Sequence, residues 1–175
     1  MTDPLLHLVL HEPEIPNNTG NIGRTAIVLG CSLHLIHPLG FDTDEKACRR
    51  AGLDYWPRLG VHHHDSWSAF VASQTPPPRR TWLFSAFGTT SVFDAEFRKG
   101  DHLVFGKETA GLPDSILRSA PAGQVLRFPM VQGERGLNLA TAVCAAAYEA
   151  IRQLSARGEI VIDQAGVIRG SSANT

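Results

Sequence analysis

Short apolar runs alternate with segments of helical period along most of the chain. The apolar runs predict strands near residues 5–10, 32–36, 59–62, 81–85, 102–105 and 124–128. Helical spacing predicts a helix over 22–29 that ends at Gly30, a helix capped by Asp65, a helix that starts at Pro113, and a helix over 138–154. Strands that alternate with helices favour a parallel sheet with helices on both faces, so the pattern predicts an α/β fold.

The end of the chain differs in character from the rest. We place one domain at residues 1–154 and a tail at 155–175, in which Gly158 and Gly166 flank short β-like runs. The last five residues are small and polar, which is typical of a disordered terminus.

Composition narrows the class of protein. The 175 residues are 43% hydrophobic and 19% charged, with a formal net charge of −1, as expected for one folded domain. This charge does not favour nucleic acid by itself, although a local basic patch can still hold a polyanion. Three cysteines without a CxxC pair argue against disulfides or a zinc site. With no signal-peptide pattern and no long apolar run, we expect a cytoplasmic protein without a membrane span.

Three loops rich in glycine, asparagine and charge follow predicted strands, at residues 17–24, 106–113 and 129–138. Ligands of parallel α/β sheets bind beyond the carboxyl ends of the strands, so three such loops at one edge would form one site. The GxxG spacing of the first loop disfavours a dinucleotide or nucleoside triphosphate site. Its Asn and Gly residues could form a simple turn, whereas Arg24 could reach over the sheet edge toward a phosphate or ribose.

The other candidate residues also have ordinary alternatives. Glu108 could be a solvated loop carboxylate, and Asn138 could serve only as a helix N-cap. The consecutive histidines at 62–64 have no cysteine or acid at metal-site spacing, so we expect a surface or capping role and no metal ion. A basic cluster forms either a solvated helix face or an RNA-facing patch; it consists of Lys46, Arg49 and Arg50.

Four segments together carry a family resemblance. They are HEPEIPNNTGNIGRTA from His11, RRAGLDYW from Arg49, FGKETAGLPDSIL from Phe105, and FPMVQGERGLNLATAVCAAAYEAIRQL from Phe128. In order and spacing they resemble the tRNA (cytidine/uridine) 2′-O-methyltransferases of the wobble position, a compact branch of the SPOUT superfamily. The resemblance spans roughly residues 5–154.

The resemblance implies a parallel sheet with a C-terminal trefoil knot, S-adenosylmethionine as methyl donor, and tRNA as substrate. It also implies a homodimer through the last helix, around Tyr148. The implied catalytic residues are Arg24 with its loop partner Asn18, Glu108 and Asn138. The implied cofactor-binding residues are Phe84, Gly88, Gly106, Phe128, Met130 and Gly136.

Two positions depart from the family pattern, because Gly136 and Ala140 stand where serine is common. We expect Arg24 to orient and stabilise the reacting ribose rather than to act as a base, since a guanidinium stays protonated at neutral pH. Two alternatives stay open: a SPOUT enzyme that methylates ribosomal RNA, and an RNA-binding module without catalysis.

Overall fold

A seven-stranded sheet forms the centre of the molecule in a computed structural model that describes residues 3–41, 55–74 and 80–170. The strands are β1 (His7–His11), β2 (Ser32–Ile36), β3 (Val61–His64), β4 (Thr81–Phe84), β5 (Thr90–Ser91), β6 (His102–Phe105) and β7 (Val125–Arg127). All pairings are parallel, and the order in space is β3-β2-β1-β6-β4-β7-β5. The parallel α/β fold that the sequence predicts is confirmed.

Helices cover both faces of this sheet. The helices α1 (Pro16–Leu29) and α4 (Leu139–Ala156) pack on one face, and α2 (Trp67–Ser73) and α3 (Asp114–Ser119) pack on the other. Successive strand residues point to opposite faces, so Leu8 and Leu10 join the larger apolar cluster with α1 and α4. Val9 joins the smaller cluster with α2 and α3.

The start of α1 differs from the prediction. The helix begins at Pro16, so residues 17–24 are helical and the loop predicted there was wrong. Proline suits the first helical position because its φ is already fixed and its missing N–H has no partner to lose. Asn18 and Gly20 are buried in this first part of the helix, so tertiary packing outweighs their weak helix propensity.

Two smaller boundaries also move. The N-cap of α2 is Ser66, whose hydroxyl accepts from the backbone N–H of Ala69 at 3.1 Å, so the assignment of Asp65 as the cap was wrong. The third strand lies at Val61–His64, two residues later than expected. No helix in the described parts of the chain is long and apolar enough to cross a bilayer.

The connection between β4 and β5 takes an unusual path. Both strands pair with β7, one on each side, so residues 85–89 must cross the face of β7. Gly88 makes this crossing possible: a Cβ there would lie 2.5 Å from the carbonyl carbon of Leu126, a contact that only glycine avoids. A strand crossed in this way is compatible with the trefoil knot, which stays a prediction.

The C-terminal residues remain attached to the domain. After α4, an antiparallel hairpin forms from β8 (Ile160–Ile162) and β9 (Ile168–Gly170), where short β-like runs were expected. The side chain of Ile160 is buried in the main apolar cluster. Residues 171–175, expected to be disordered, lie outside the described residues.

Candidate functional site

A cavity of about 600 Å³ opens at the carboxyl ends of β4, β6 and β7. Its lining comes mainly from residues 84–87, 105–112, 126–128 and 136–139. Five of the six residues expected to bind a cofactor line it: Phe84, Gly106, Phe128, Met130 and Gly136. The sixth, Gly88, does not line the cavity; it holds the crossing segment against β7 instead. The volume is in the range of small-molecule sites.

Aromatic rings form one wall of the cavity. The ring of Phe84 stacks on that of Phe105 with 4.4 Å between centroids, and on that of Phe128 at 5.7 Å. The rim carries exposed apolar side chains, above all Phe87, which is 89% exposed. Such exposure is costly in water, which favours a ligand or substrate that covers the rim.

The loop after β6 folds back tightly on itself. The backbone N–H of Gly111 donates to the carbonyl of Lys107 at 2.9 Å. A Cβ on Gly106 would lie far inside van der Waals contact with the backbone of Gly111 and Leu112. Glycine at position 106 therefore allows this loop to close and to present its backbone to the cavity.

Three of the four candidate catalytic side chains form one hydrogen-bonded chain. Asn18 Nδ2 donates to Glu108 Oε1 at 2.9 Å, and Asn138 Nδ2 donates to Asn18 Oδ1 at 3.0 Å. Residues from α1, the loop after β6 and the start of α4 thus meet at one point. The solvated-loop alternative for Glu108 is incompatible with these contacts.

Glu108 also fixes the entry to α1. Its carboxylate accepts from the backbone N–H of Glu14 at 2.8 Å and from that of Ile15 at 3.3 Å. A carboxylate beside a helix N-terminus is further stabilised by the helix dipole. With its oxygens engaged in this way, Glu108 is suited to orient its neighbours.

Asn138 makes two sets of contacts at the same time. Its Oδ1 accepts from the backbone N–H groups of Ala140 at 2.9 Å and Thr141 at 3.3 Å, so it is the N-cap of α4. Its Nδ2 is simultaneously engaged with Asn18. The N-cap interpretation and the site interpretation therefore describe the same side chain.

A second layer of contacts around this chain was missed at the sequence level. Thr109 donates through its Oγ1 to the carboxylate of Glu14 at 2.8 Å, and Lys107 Nζ lies 3.0 Å from Glu12 Oε2. The hydrogen bond to Glu12 raises the pKa of Lys107 above its ordinary value. Glu12 has φ +51°, a left-handed conformation that is uncommon outside glycine. Glu12 and Glu14 lie in the first of the four segments that carry the family resemblance, but their partners become visible only in the fold.

Arg24 lies apart from this chain of contacts. Among the described residues, those that line the cavity do not include Arg24, which is exposed on α1. Its guanidinium carbon lies 4.7 Å from the ring centroid of Tyr55, and the Tyr55 hydroxyl donates to the carbonyl of Gly20. Cation–π packing against a buried ring restricts the arginine to one region of the surface. This supporting position of Tyr55 was not predicted from the sequence.

The predicted basic patch cannot be placed. Lys46, Arg49 and Arg50 lie outside the described residues. An RNA-binding role for them stays a prediction.

The chemistry of the cavity is that of positioning. An aromatic wall, a backbone-rich loop and an interlocked amide–carboxylate chain can hold a ligand that has an apolar ring and polar ends. Such fixed groups contribute to catalysis by aligning reactants, which is worth roughly 7–11 kcal/mol in favourable cases.

Comparisons with known proteins give one consistent result. The model of the SpoU rRNA Methylase family matches residues 5–148. A tRNA (cytidine(34)-2′-O)-methyltransferase of Polaromonas sp. is 49% identical over 85% of this chain and 91% of its own length. The protein of that name from Escherichia coli K12 is 45% identical over 91% of this chain and its full length.

Solved structures agree with this result. One, from work on 2-OH methylation of C/U34 on tRNA, has a TM-score of 0.80 and 51% identity over 87% of this chain and 97% of its own. The SpoU methyltransferase AviRb of Streptomyces viridochromogenes, in complex with AdoMet, has a TM-score of 0.70 and 28% identity over 87% of this chain and 59% of its own.

Proposed function

Since this chain belongs to the SpoU rRNA Methylase family, we propose that it methylates the ribose 2′-oxygen of cytidine or uridine 34 in tRNA. The observation that carries the proposal is the likeness to tRNA (cytidine(34)-2′-O)-methyltransferases over nearly their whole length. The proposed substrate rests on these relatives. The cavity and the hydrogen-bonded side chains beside it support the proposed binding of the methyl donor.

S-adenosylmethionine is the methyl donor in this proposal. When bound, the donor would supply an electrophilic methyl group on a sulfonium, and the leaving group is the neutral thioether of S-adenosylhomocysteine. The residues that fit it are the Phe84 and Phe128 rings, the Gly106 backbone, and the Met130 and Gly136 segment that closes the cavity. AdoMet-bound relatives of the same fold support this assignment.

The hydrogen-bonded side chains and Arg24 have different roles in this proposal. Asn18, Glu108 and Asn138 hold the two loops and two helices that frame the cavity in register. Arg24 orients the ribose and stabilises the charge on its oxygen, because a guanidinium is a poor base at neutral pH. In this scheme the proton leaves to water or to a phosphate of the RNA.

Methyl transfer from labelled S-adenosylmethionine tests the proposal. We expect label in transcripts of a tRNA with C34 or U34, and none when nucleotide 34 carries a 2′-deoxy ribose. The matched control is the same tRNA with a 2′-deoxy ribose at position 35, which should be labelled. If only ribosomal RNA were labelled, the protein would be a ribosomal RNA methyltransferase. If no RNA were labelled, the protein would be an RNA-binding module without catalysis.

We also propose a homodimer through α4. Ala146 and Ala147 of this helix are fully buried in the chain's own apolar core, so they are not available to a second chain. The exposed stripe of α4 instead contains Thr141, Ala145 and Tyr148 at helical spacing. Tyr148 is 51% exposed and lines the same groove as Val28 of α1, which is 62% exposed, so two helices share an apolar surface.

Replacing Tyr148 by arginine should convert a dimer to a monomer at micromolar protein, because it places a charge in an apolar contact. Light scattering gives the mass directly. Val71→Arg is the matched control, since Val71 is 49% exposed on α2, across the sheet. A dimeric mass for Tyr148→Arg, or a monomeric mass for the unchanged chain, would contradict the proposal.

A cytoplasmic location and the trefoil knot complete the proposal. The first is supported by the substrate class, and the second by the segment that crosses β7.

A further inference from the structure

Five of the eight histidines of the chain gather on one face of the sheet, away from the cavity. They are His7 of β1, His34 of β2, His62 and His64 of β3, and His102 of β6. The parallel register explains the cluster: His7 pairs with His102, and His34 pairs with His62. Alternate residues share a face, so β1, β2, β3 and β6 present imidazoles to the same region under α2.

Three of these rings converge. One ring nitrogen each from His7, His34 and His102 lie within 4.8 Å of one another. The closest pair is His7 Nδ1 and His34 Nε2, which are 3.0 Å apart. His34 is 6% exposed and His102 is fully buried, so the cluster is built into the sheet.

We propose that His7, His34 and His102 bind a divalent transition-metal ion of the zinc type. Zinc bound by histidine has Zn–N distances near 2.0–2.1 Å in a tetrahedron, which places the nitrogens roughly 3.4 Å apart. The two nitrogens of the His7–His34 pair lie 3.0 Å apart, so they would separate by roughly 0.4 Å to reach that spacing. The ring of His102 stacks on that of His7 at 4.3 Å, so it would have to turn about its χ2 bond to point at the ion, and this torsion has a broad minimum.

The surroundings of the triad suit this role. His34 Nδ1 lies 3.0 Å from His64 Nε2, which fixes the orientation of the His34 ring and leaves Nε2 for the ion. Ser32 Oγ lies 2.7 Å from His7 Nδ1 and 3.2 Å from His34 Nε2, where it or a water can take the fourth position.

The ion would have a structural function. His7 and His102 are the first residues of their strands, whereas the methyl-transfer cavity lies beyond the last residues of β4, β6 and β7. An ion held by the triad would link β1, β2 and β6, three adjacent strands at the centre of the sheet. The proposal departs from the expectation of no metal ion, and the proposed ion takes no part in methyl transfer.

Titration of the untagged full chain with Co²⁺, followed by displacement with Zn²⁺, tests the proposal. We expect visible absorption typical of tetrahedral Co²⁺, saturation near one ion per chain, and a higher melting temperature with Zn²⁺. His7→Gln and His102→Gln should lose the absorption. His64→Ala, which removes the orienting contact but none of the three proposed ligands, should weaken binding by roughly 10–100-fold.

A second histidine pair gives the matched control. His37 Nε2 and His63 Nδ1 lie 2.9 Å apart in an exposed position and could chelate a metal on the surface. His63→Ala should keep full Co²⁺ binding. Full binding by folded His7→Gln, loss of binding in His63→Ala, or no binding by the unchanged folded chain would overturn the proposal; in the last case the histidines are only a hydrogen-bonded stack.

Discussion

Replacing Gly106 by alanine should lower the affinity for S-adenosylmethionine and reduce methyl transfer by roughly 100-fold or more, since misplacement of reacting groups by about 1 Å can cost that much in rate. The new Cβ would overlap the backbone of Gly111 and Leu112, and backbone cannot move aside as a side-chain end can. The loop must therefore open, which displaces the lining of the cavity. Calorimetry with S-adenosylmethionine and S-adenosylhomocysteine measures the loss.

Gly60→Ala is the control for this experiment. A Cβ at Gly60 meets nothing within 4 Å, so the substitution should leave both affinity and melting temperature unchanged. Circular dichroism of the Gly106→Ala protein separates a reshaped loop from an unfolded chain. Unchanged affinity in folded Gly106→Ala would mean that the methyl donor does not bind against this loop.

Replacing Arg24 by alanine should reduce methyl transfer by roughly 100-fold or more, as removal of one charge-stabilising donor does in other enzymes. Affinity for S-adenosylmethionine should hardly change, because Arg24 is outside the cavity lining. The exposed guanidinium lies over the Tyr55 ring, outside the lining of the cavity. Single-turnover assays at saturating tRNA and methyl donor measure the first effect, and calorimetry measures the second.

Arg169→Ala is the control, because it removes the same positive charge from the C-terminal hairpin. The Arg169 side chain lies away from the site and pairs with Asp163 at an N–O distance of 3.2 Å, so this variant should retain full activity. Arg24→Lys distinguishes charge from shape, since lysine keeps the charge but not the planar fork. Full activity of Arg24→Ala would mean that Arg24 is only a surface residue of α1 and takes no part in methyl transfer.

The strands could be predicted because their apolar runs are short and clearly bounded. The start of α1 could not, because Asn17, Asn18 and Gly20 have the local chemistry of a turn, and the burial of Asn18 and Gly20 against other segments favours the helix. Ala146 illustrates the same limit: a small residue permits close packing, but the sequence does not say whether the neighbour is its own sheet or a second chain.

The candidate site could be predicted largely through the family resemblance. Residue chemistry alone predicted a solvated carboxylate for Glu108. The hydrogen bonds that hold it come from Asn18 and from the backbone of Glu14, which are about 90 positions away in the sequence. The histidine cluster was missed for the same reason. Along the chain His62, His63 and His64 have no acid or cysteine partners, whereas the ring partners come from the neighbouring strands β1, β2 and β6.

The position of β7 between β4 and β5 also limits the order in which the protein can assemble during synthesis. Before residues 125–127 leave the ribosome, β4 and β5 have nothing between them to pair with. With the position of β7 empty, β4 and β5 would lie about 9–10 Å apart, which is too far for direct hydrogen bonds between them. The edge of the sheet therefore closes late, after more than two-thirds of the chain has been made, and the cavity at its carboxyl end forms with it.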